Sequence, residues 1–255
     1  MNSQYRLALV TGASRGIGAD LSQCIAKEKI PVILVARDLN NLKIVAEKIT
    51  MQGGVAYPYS CDVNDPQAVA KLFETVREKH GFIDLFVANA GVSIFCPAKK
   101  FVAENAAKVI QTNVLAPIYC LEPVLQEMVK AKKGHIVAIS SLASYVSMPV
   151  SAVYCASKTA ISFIFEGLAL ELPKYNVDTT VICPGFIKTD LVAKNRFRMP
   201  FVMESPEAAE RIWRAIKQKK SRYNFPMPTY LMTKAISMVP FGLRKFLLNF
   251  FSKGK

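Results

Sequence analysis

An α/β fold, with one parallel sheet buried between two layers of helices, is what three observations on this 255-residue sequence predict. Short apolar runs alternate with longer segments of helical period. The runs are mostly near-continuous in apolar residues rather than apolar at every second residue, and the first leads straight into a glycine-rich turn. A strand needs apolar side chains on both faces only when both are covered, which is the condition of a parallel sheet joined by crossover helices. A glycine turn after the first strand marks a doubly wound, Rossmann-like sheet, here of about seven strands flanked by helices on both faces.

In chain order the strands read as Leu7–Val10, Val32–Ala36, Val55–Tyr59, Ile83–Ala88, His135–Ser140 and Val177–Ile182, with Arg222–Pro226 as a short last strand. Helical periodicity falls near 16–28, 39–51, 66–79, 100–131, 153–172 and 206–220. Beyond Ile182 the pattern loosens, punctuated by Pro184, Pro200, Pro206, Pro226, Pro228 and Pro240. With 51% hydrophobic residues the chain can bury a substantial core.

Composition excludes several classes. The N-terminus has no charged segment followed by a long apolar stretch and a small-residue cleavage site, so no secretory signal is expected. No run reaches the roughly 18 uncharged residues of a spanning helix. The six cysteines form no C-x-x-C pair, and with only His80 and His135 beside them no metal site is expected. Scattered free thiols point to the reducing cytoplasm. His135 opens a strand and His80 ends a helix beside Gly81, so both read as structural.

The first strand runs into Thr11-Gly12-Ala13-Ser14-Arg15-Gly16-Ile17-Gly18, which opens a helix. Gly12 permits the turn, Gly16 lets backbone approach a pyrophosphate, and Gly18 lets helix pack on strand; the helix N-terminus then offers N–H groups to phosphate. Gly12, Ser14, Arg15, Gly16, Ile17 and Gly18 are therefore cofactor-binding candidates. At the end of the second strand an NAD site usually places an acid on the ribose 2′-hydroxyl. Here Ala36 stands there, followed by Arg37, whose guanidinium suits a 2′-phosphate. NADP(H) is the expected cofactor, with Arg15 as a second cation.

With four further motifs, the chain resembles the short-chain dehydrogenase/reductase family from residue 5 to about 192. Cys61-Asp62-Val63 follows the third strand, and Asn89-Ala90-Gly91 ends the fourth. Tyr154-Cys155-Ala156-Ser157-Lys158 matches the Tyr-x-x-x-Lys signature, and Pro184-Gly185-Phe186-Ile187-Lys188-Thr189 the Pro-Gly segment. The resemblance implies cofactor contacts from Asp62, Val63, Asn89, Ala90, Gly91, Pro184, Gly185, Ile187 and Thr189. It also implies a catalytic set of Asn113, Ser141, Tyr154 and Lys158, with Tyr154 and Lys158 contacting cofactor as well.

Chemistry supports that set. Tyr154 and Lys158 lie four apart, on one face of a helix. Hydride delivery to a carbonyl carbon leaves an oxygen that needs a proton, and a phenol with pKa near 10 gives it readily only if a nearby ammonium stabilises the phenolate. The resemblance implies that a serine thirteen residues before the tyrosine, here Ser141 in preference to its neighbour Ser140, holds the carbonyl oxygen. By resemblance, Asn113 holds a water that relays protons to the lysine. This set argues for an NADPH-dependent reductase over a cofactor-binding sensor. The alternative within enzymes is an alcohol dehydrogenase running in the oxidative direction on a hydrophobic alcohol, a choice set by the cofactor pool and not by the sequence.

Residues 1–226 are expected to form one nucleotide-binding and catalytic domain with a substrate lid at about 186–205. Phe186, Phe197, Met199, Phe201, Val202 and Met203 in that lid, with Tyr145, Val146 and Met148, suggest a lipophilic substrate such as a 3-oxo lipid, ketosphingoid or steroid-like ketone. Residues 227–255 differ in character. Of the net charge of +14, residues 193–255 carry most, with 14 basic side chains against 3 acidic, while residues 1–192 hold 19 against 16. Apolar and basic residues alternate there, broken at Pro240-Phe241-Gly242, which suits either contact with anionic lipid or packing on protein. No nucleic-acid motif accompanies the charge. By resemblance, the helices near 100–131 and 153–172 form a homodimer interface.

Overall fold

The computed structural model describes residues 4–189 and 199–252, with side chains through Phe246. Numbered in chain order, the strands are β1 (Ala8–Thr11), β2 (Val32–Ala36), β3 (Ala56–Ser60), β4 (Leu85–Ala88), β5 (Gly134–Ile139), β6 (Val177–Pro184), β7 (Ile187–Lys188), β8 (Met203–Glu204) and β9 (Arg222–Phe225). Seven of them form one parallel sheet in the order β3-β2-β1-β4-β5-β6-β9. The order reverses between β1 and β4, which opens a crevice at the carboxyl ends of those strands. The doubly wound sheet expected from the sequence is present, with boundaries shifted by a residue or two.

Alternation within each strand feeds two separate cores. Ala8 and Val10 point to one face, where α1 (Gly16–Lys27), α2 (Leu39–Met51) and α7 (Ser205–Lys217) contribute Leu21, Ile25, Leu42, Ile212 and Trp213. Leu7 and Leu9 point to the other, against α3 (Pro66–His80), α5 (Ala116–Ala131) and α6 (Ala152–Glu171), which contribute Phe73, Leu121, Val124 and Phe165. Local chemistry starts these helices. Asp38 accepts from Asn41 N at 3.0 Å to begin α2, and Asp65, just before Pro66, accepts from Gln67 N at 2.9 Å to begin α3.

The two histidines are structural, as expected. His135 lies between the Tyr5 hydroxyl (Nδ1, 2.7 Å) and the Thr180 hydroxyl (Nε2, 2.8 Å), and burial holds its pKa down at about 4, so it stays neutral. His80 Nε2 meets the Tyr59 hydroxyl at 2.8 Å, and its ring lies against Tyr57. The entering chain is pinned by the buried Asp84 carboxylate, which accepts from Arg6 N and Leu7 N and pairs with Lys133 at 3.2 Å.

Two elements depart from the sequence reading. The helix expected over 100–131 begins at α4 (Ala103–Ile110) and passes through a π-turn, Gln111–Leu115, before continuing as α5. The lid expected over 186–205 is bracketed by a two-residue ladder, Ile187 with Met203 and Lys188 with Glu204; its Phe197 lies outside the described residues. Past β9, the chain forms α8 (Met227–Met238) and α9 (Phe241–Ser252), divided at Val239-Pro240.

One helix, α6 with the turn after it, is long and apolar enough by length and composition to cross a membrane. It is not the uncharged run sought in the sequence, since it contains Lys158, Glu166, Glu171 and Lys174. Its inner face packs on the sheet through Ile161 and Phe165. Its outer face is another matter: Phe163 is 70% and Leu170 88% exposed.

Candidate active site

The crevice between β1 and β4 is floored by the glycine turn. Gly12 and Gly16 adopt the left-handed φ values of 66° and 54°, which an L side chain rarely takes. A Cβ on Gly12 would sit 2.9 Å from Ala90 Cα, and one on Gly18 would collide with the Gly12 carbonyl. Backbone must approach this closely for the turn to exist. Helix α1 begins at Gly16 with no side-chain cap and no acid in its first turn, so its leading N–H groups face the crevice unneutralised. The residues present therefore fit a dinucleotide phosphate. Ser14 and Ile17 are half-buried in this turn, and Arg15 is exposed on it.

Asn89 holds the turn in place. Its Nδ2 donates to Thr11 O (2.9 Å) and Gly12 O (3.2 Å), while the Thr11 hydroxyl accepts from both Asn89 N and Ala90 N at 3.1 Å. Asn89 thus acts on the loop itself. Thr11 was not singled out in the sequence, where a threonine ending a strand carries no distinguishing mark.

At the end of β2, Arg37 is exposed, and among the described residues no carboxylate pairs with it. Both oxygens of the adjacent Asp38 are engaged by Asn41, at 3.0 and 2.5 Å. The one acid beside this position is therefore turned into the start of α2. Asp62 Oδ1 accepts from Asn64 N at 3.0 Å, shaping the turn after β3 in which Val63 is buried.

Four chemically distinctive side chains converge on the ends of β4, β5 and β6. Tyr154, in the first turn of α6, is hydrogen-bonded to Ser141; desolvation pushes its pKa up to about 12, with Ser141 pulling it back. Ser141 Oγ also accepts from Ala143 N at 3.1 Å, beginning the short 3-10 turn Leu142–Tyr145. Ser140 faces the other way, donating to Lys158 O (2.9 Å) and meeting Ser162 Oγ at 2.7 Å inside the protein. Its hydroxyl is consumed in holding α6 to the sheet.

Lys158 lies one turn beyond Tyr154, nearly buried. Its Nζ donates to Ile139 O at 2.8 Å and stands 6.0 Å from the centre of the Tyr154 ring. Burial holds its pKa down at about 8. Asn113 lies in the π-turn and is also buried. Its Oδ1 accepts from Val92 N (2.8 Å), and its Nδ2 donates to Val92 O (2.9 Å) and Ser157 Oγ (3.0 Å). The amide thus clamps the loop after Gly91, and a Cβ on Gly91 would fall 3.2 Å from Asn113 Oδ1 and 3.5 Å from Lys158 Nζ.

The segment after β6 runs past the glycine turn. Gly185 N donates to Phe225 O at 2.7 Å, Ile187 is buried, and Thr189 reaches over the glycine turn, 3.1 Å from where a Gly16 Cβ would stand. Behind the serine turn lies a cluster the sequence did not disclose. Arg222 stacks on the Tyr145 ring at 4.5 Å and pairs with Glu166 of α6, while the Tyr145 hydroxyl donates to Asn224 Oδ1 at 2.9 Å. Tyr230 of α8 packs edge-on against Tyr145. These residues tie α6, β9 and α8 to the serine turn. Among the described residues no group of three His, Cys, Asp or Glu side chains could hold a metal ion.

The short chain dehydrogenase family model matches residues 6–199. An uncharacterized oxidoreductase of Myxococcus xanthus is 35% identical over 236 residues, covering 92% of this chain and 93% of that protein. A dehydrogenase/reductase SDR family member 7B of Rattus norvegicus is 31% identical over 72% of this chain, which spans 59% of that longer protein. Among solved structures, a metagenomic short-chain oxidoreductase in complex with NADP superposes with TM-score 0.75 at 30% identity, covering 86% of this chain and 96% of its own. A short-chain dehydrogenase from Sphingobium yanoikuyae shares the fold at TM-score 0.81 and 24% identity, over 95% of each chain. The chain belongs to the short-chain dehydrogenase/reductase family of oxidoreductases.

Proposed function

We propose that this enzyme reduces a lipophilic ketone or aldehyde to an alcohol, with NADPH as cofactor and Tyr154 as the proton donor. The observation that carries this reading is the Ser141–Tyr154 pair, set beside buried Lys158 at the same strand ends as the glycine cradle. Bound cofactor supplies a hydride; the residues supply everything else. Ser141 holds the carbonyl oxygen, and Tyr154, fully protonated at neutral pH, gives that oxygen its proton. Lys158 lends positive charge to the phenolate left behind. Without the cofactor, desolvation of the phenol dominates. Asn113 fixes the Val92 loop against the site. Consumption of NADPH by the purified chain, measured against ketones of rising chain length, tests the reading; turnover confined to small polar sugars would sink it.

Cofactor choice rests on Arg37 and on Asp38 being turned away, and the NADP bound by the metagenomic relative supports it. Arg37→Ala is expected to weaken NADPH binding about ten- to a hundredfold, the worth of a charge-assisted hydrogen bond to phosphate. NADH binding should barely change. Fluorescence titration with both nucleotides separates the two.

The pH dependence follows from Lys158, which is protonated below about 8 and loses its charge above it. Tyr154 keeps its proton throughout that range, so the loss falls on the lysine alone. The expected kcat/KM for reduction is level at lower pH and declines as pH rises through about 8. A profile that stays flat well past that point would remove Lys158 from the mechanism.

In the segment expected to cover the substrate, Phe186 and Met199 are half-buried and Phe201 and Val202 exposed, an apolar composition that favours a lipophilic substrate. The exposed Phe163 and Leu170 of α6, with Ile118 of α5, favour a homodimer through those helices. Leu170→Glu should yield a monomer by sedimentation velocity. Free thiols at all six cysteines suit a cytoplasmic location.

A further inference from the structure

Helix α8 is turned inside out relative to an ordinary surface helix. The residues it buries are threonines, Thr229 at 3% and Thr233 at 8% exposure, while Met227, Leu231, Met232 and Met238 face outward, Met238 at 77%. A soluble helix places its apolar stripe on the core and its polar face in water. The next helix repeats the pattern, with Phe241, Leu243 and Phe246 all more than half exposed.

The charge on this surface has one sign. Lys234, Arg244 and Lys245 stand among the exposed apolar residues, and among the described residues no carboxylate pairs with them. The last acid in the sequence is Glu210, back on α7, and Lys253 and Lys255 follow α9. Apolar side chains that need cover, mixed with cations that need anions, match a surface offering both together.

We propose that α8 and α9 form a docking surface for an anionic lipid bilayer, lying in the plane of the headgroups. The apolar side chains enter the acyl boundary while the cations meet lipid phosphates and carboxylates. A second copy of the chain fits less well, because a two-fold contact would set the same cations against one another. The placement also has a consequence for access. Tyr230 of α8 packs on Tyr145 of the serine turn, so the docked helix borders the cleft. This inference does not depend on the reaction proposed above.

The test is co-sedimentation of the full chain with phosphatidylcholine vesicles, with and without phosphatidylserine. The wild-type chain should pellet with the anionic vesicles, less so as salt is raised. Lys234→Glu, Arg244→Glu and Lys245→Glu should each weaken binding at least about fivefold, since one cation at an anionic surface contributes ~1 kcal/mol. Leu231→Asp and Phe241→Asp should abolish it. All five sites are solvent-facing or nearly so, and an unchanged melting temperature confirms that the variants fold. Absence of wild-type binding to anionic vesicles overturns the proposal, as does binding that survives both sets of changes. Self-association lost in the same variants and not competed by vesicles would assign the surface to a second copy, and equally overturns it.

Discussion

Replacing Tyr154 with phenylalanine should lower the rate of carbonyl reduction about a hundred- to ten-thousandfold while leaving NADPH binding intact, the range expected when a positioned proton donor is lost. The substitution removes one oxygen and keeps the ring in place beside Lys158, so packing changes little. What disappears is the hydroxyl that Ser141 orients and whose proton, with a pKa near 12, is available throughout the neutral range. Stopped-flow reduction and a nucleotide titration on the same sample give the two readouts. Retained kcat in the variant would mean the proton comes from elsewhere, and the proposed roles of Tyr154 and Ser141 would fall together.

Gly18→Ala is the second large effect, and it acts through the backbone. A single methyl at this position collides with the Gly12 carbonyl and also crowds Asn89 Nδ2. The first neighbour is backbone, and the second, though a side-chain end, is held by its bonds to Thr11 O and Gly12 O. Gly12 is held by the Asn89 amide, which is itself one side of the Thr11 network. Accommodating the methyl therefore means opening the turn, at a cost of about 3 kcal/mol, the upper end of ordinary overpacking. Urea unfolding should register that loss, and nucleotide binding should fail with it. A variant that melts and binds like the wild type would show that the turn has slack the geometry does not suggest.

The parts of this protein that were legible in the sequence are those governed by local rules. The β1–turn–α1 unit announces itself because its glycines are required within eight consecutive residues, and Tyr154 and Lys158 because helical spacing places them on one face. The buried strands stand out because both their faces are apolar. The rest depends on pairings that no local rule encodes. Arg222, Glu166 and Tyr145 meet across long stretches of chain, and none is unusual where it stands. The β7–β8 ladder is two residues long, too short for any periodicity to register. For α8, the sequence marks an amphipathic segment but not which face turns inward; only the fold reveals that the threonines do. The distinction between Ser140 and Ser141 came from motif spacing, and the geometry supplies its physical content, one hydroxyl spent beneath α6 and the other turned toward Tyr154.

The π-turn at Gln111–Leu115 makes this site sensitive to length in a way that its side chains alone do not disclose. Such a turn holds one residue more than the α-turn it replaces, and each residue of a helix advances the azimuth by about 100°. Deleting one of its residues lets the turn close to regular pitch while α4 and α5 keep their phase, so Val109 stays in the core. Inside the turn the surplus residue sets where Asn113 stands, and the shortened turn should cost its amide both bonds to Val92. The fold should therefore survive the deletion while the loop after Gly91 comes loose, a loss that no exchange of side chains in the turn would imitate.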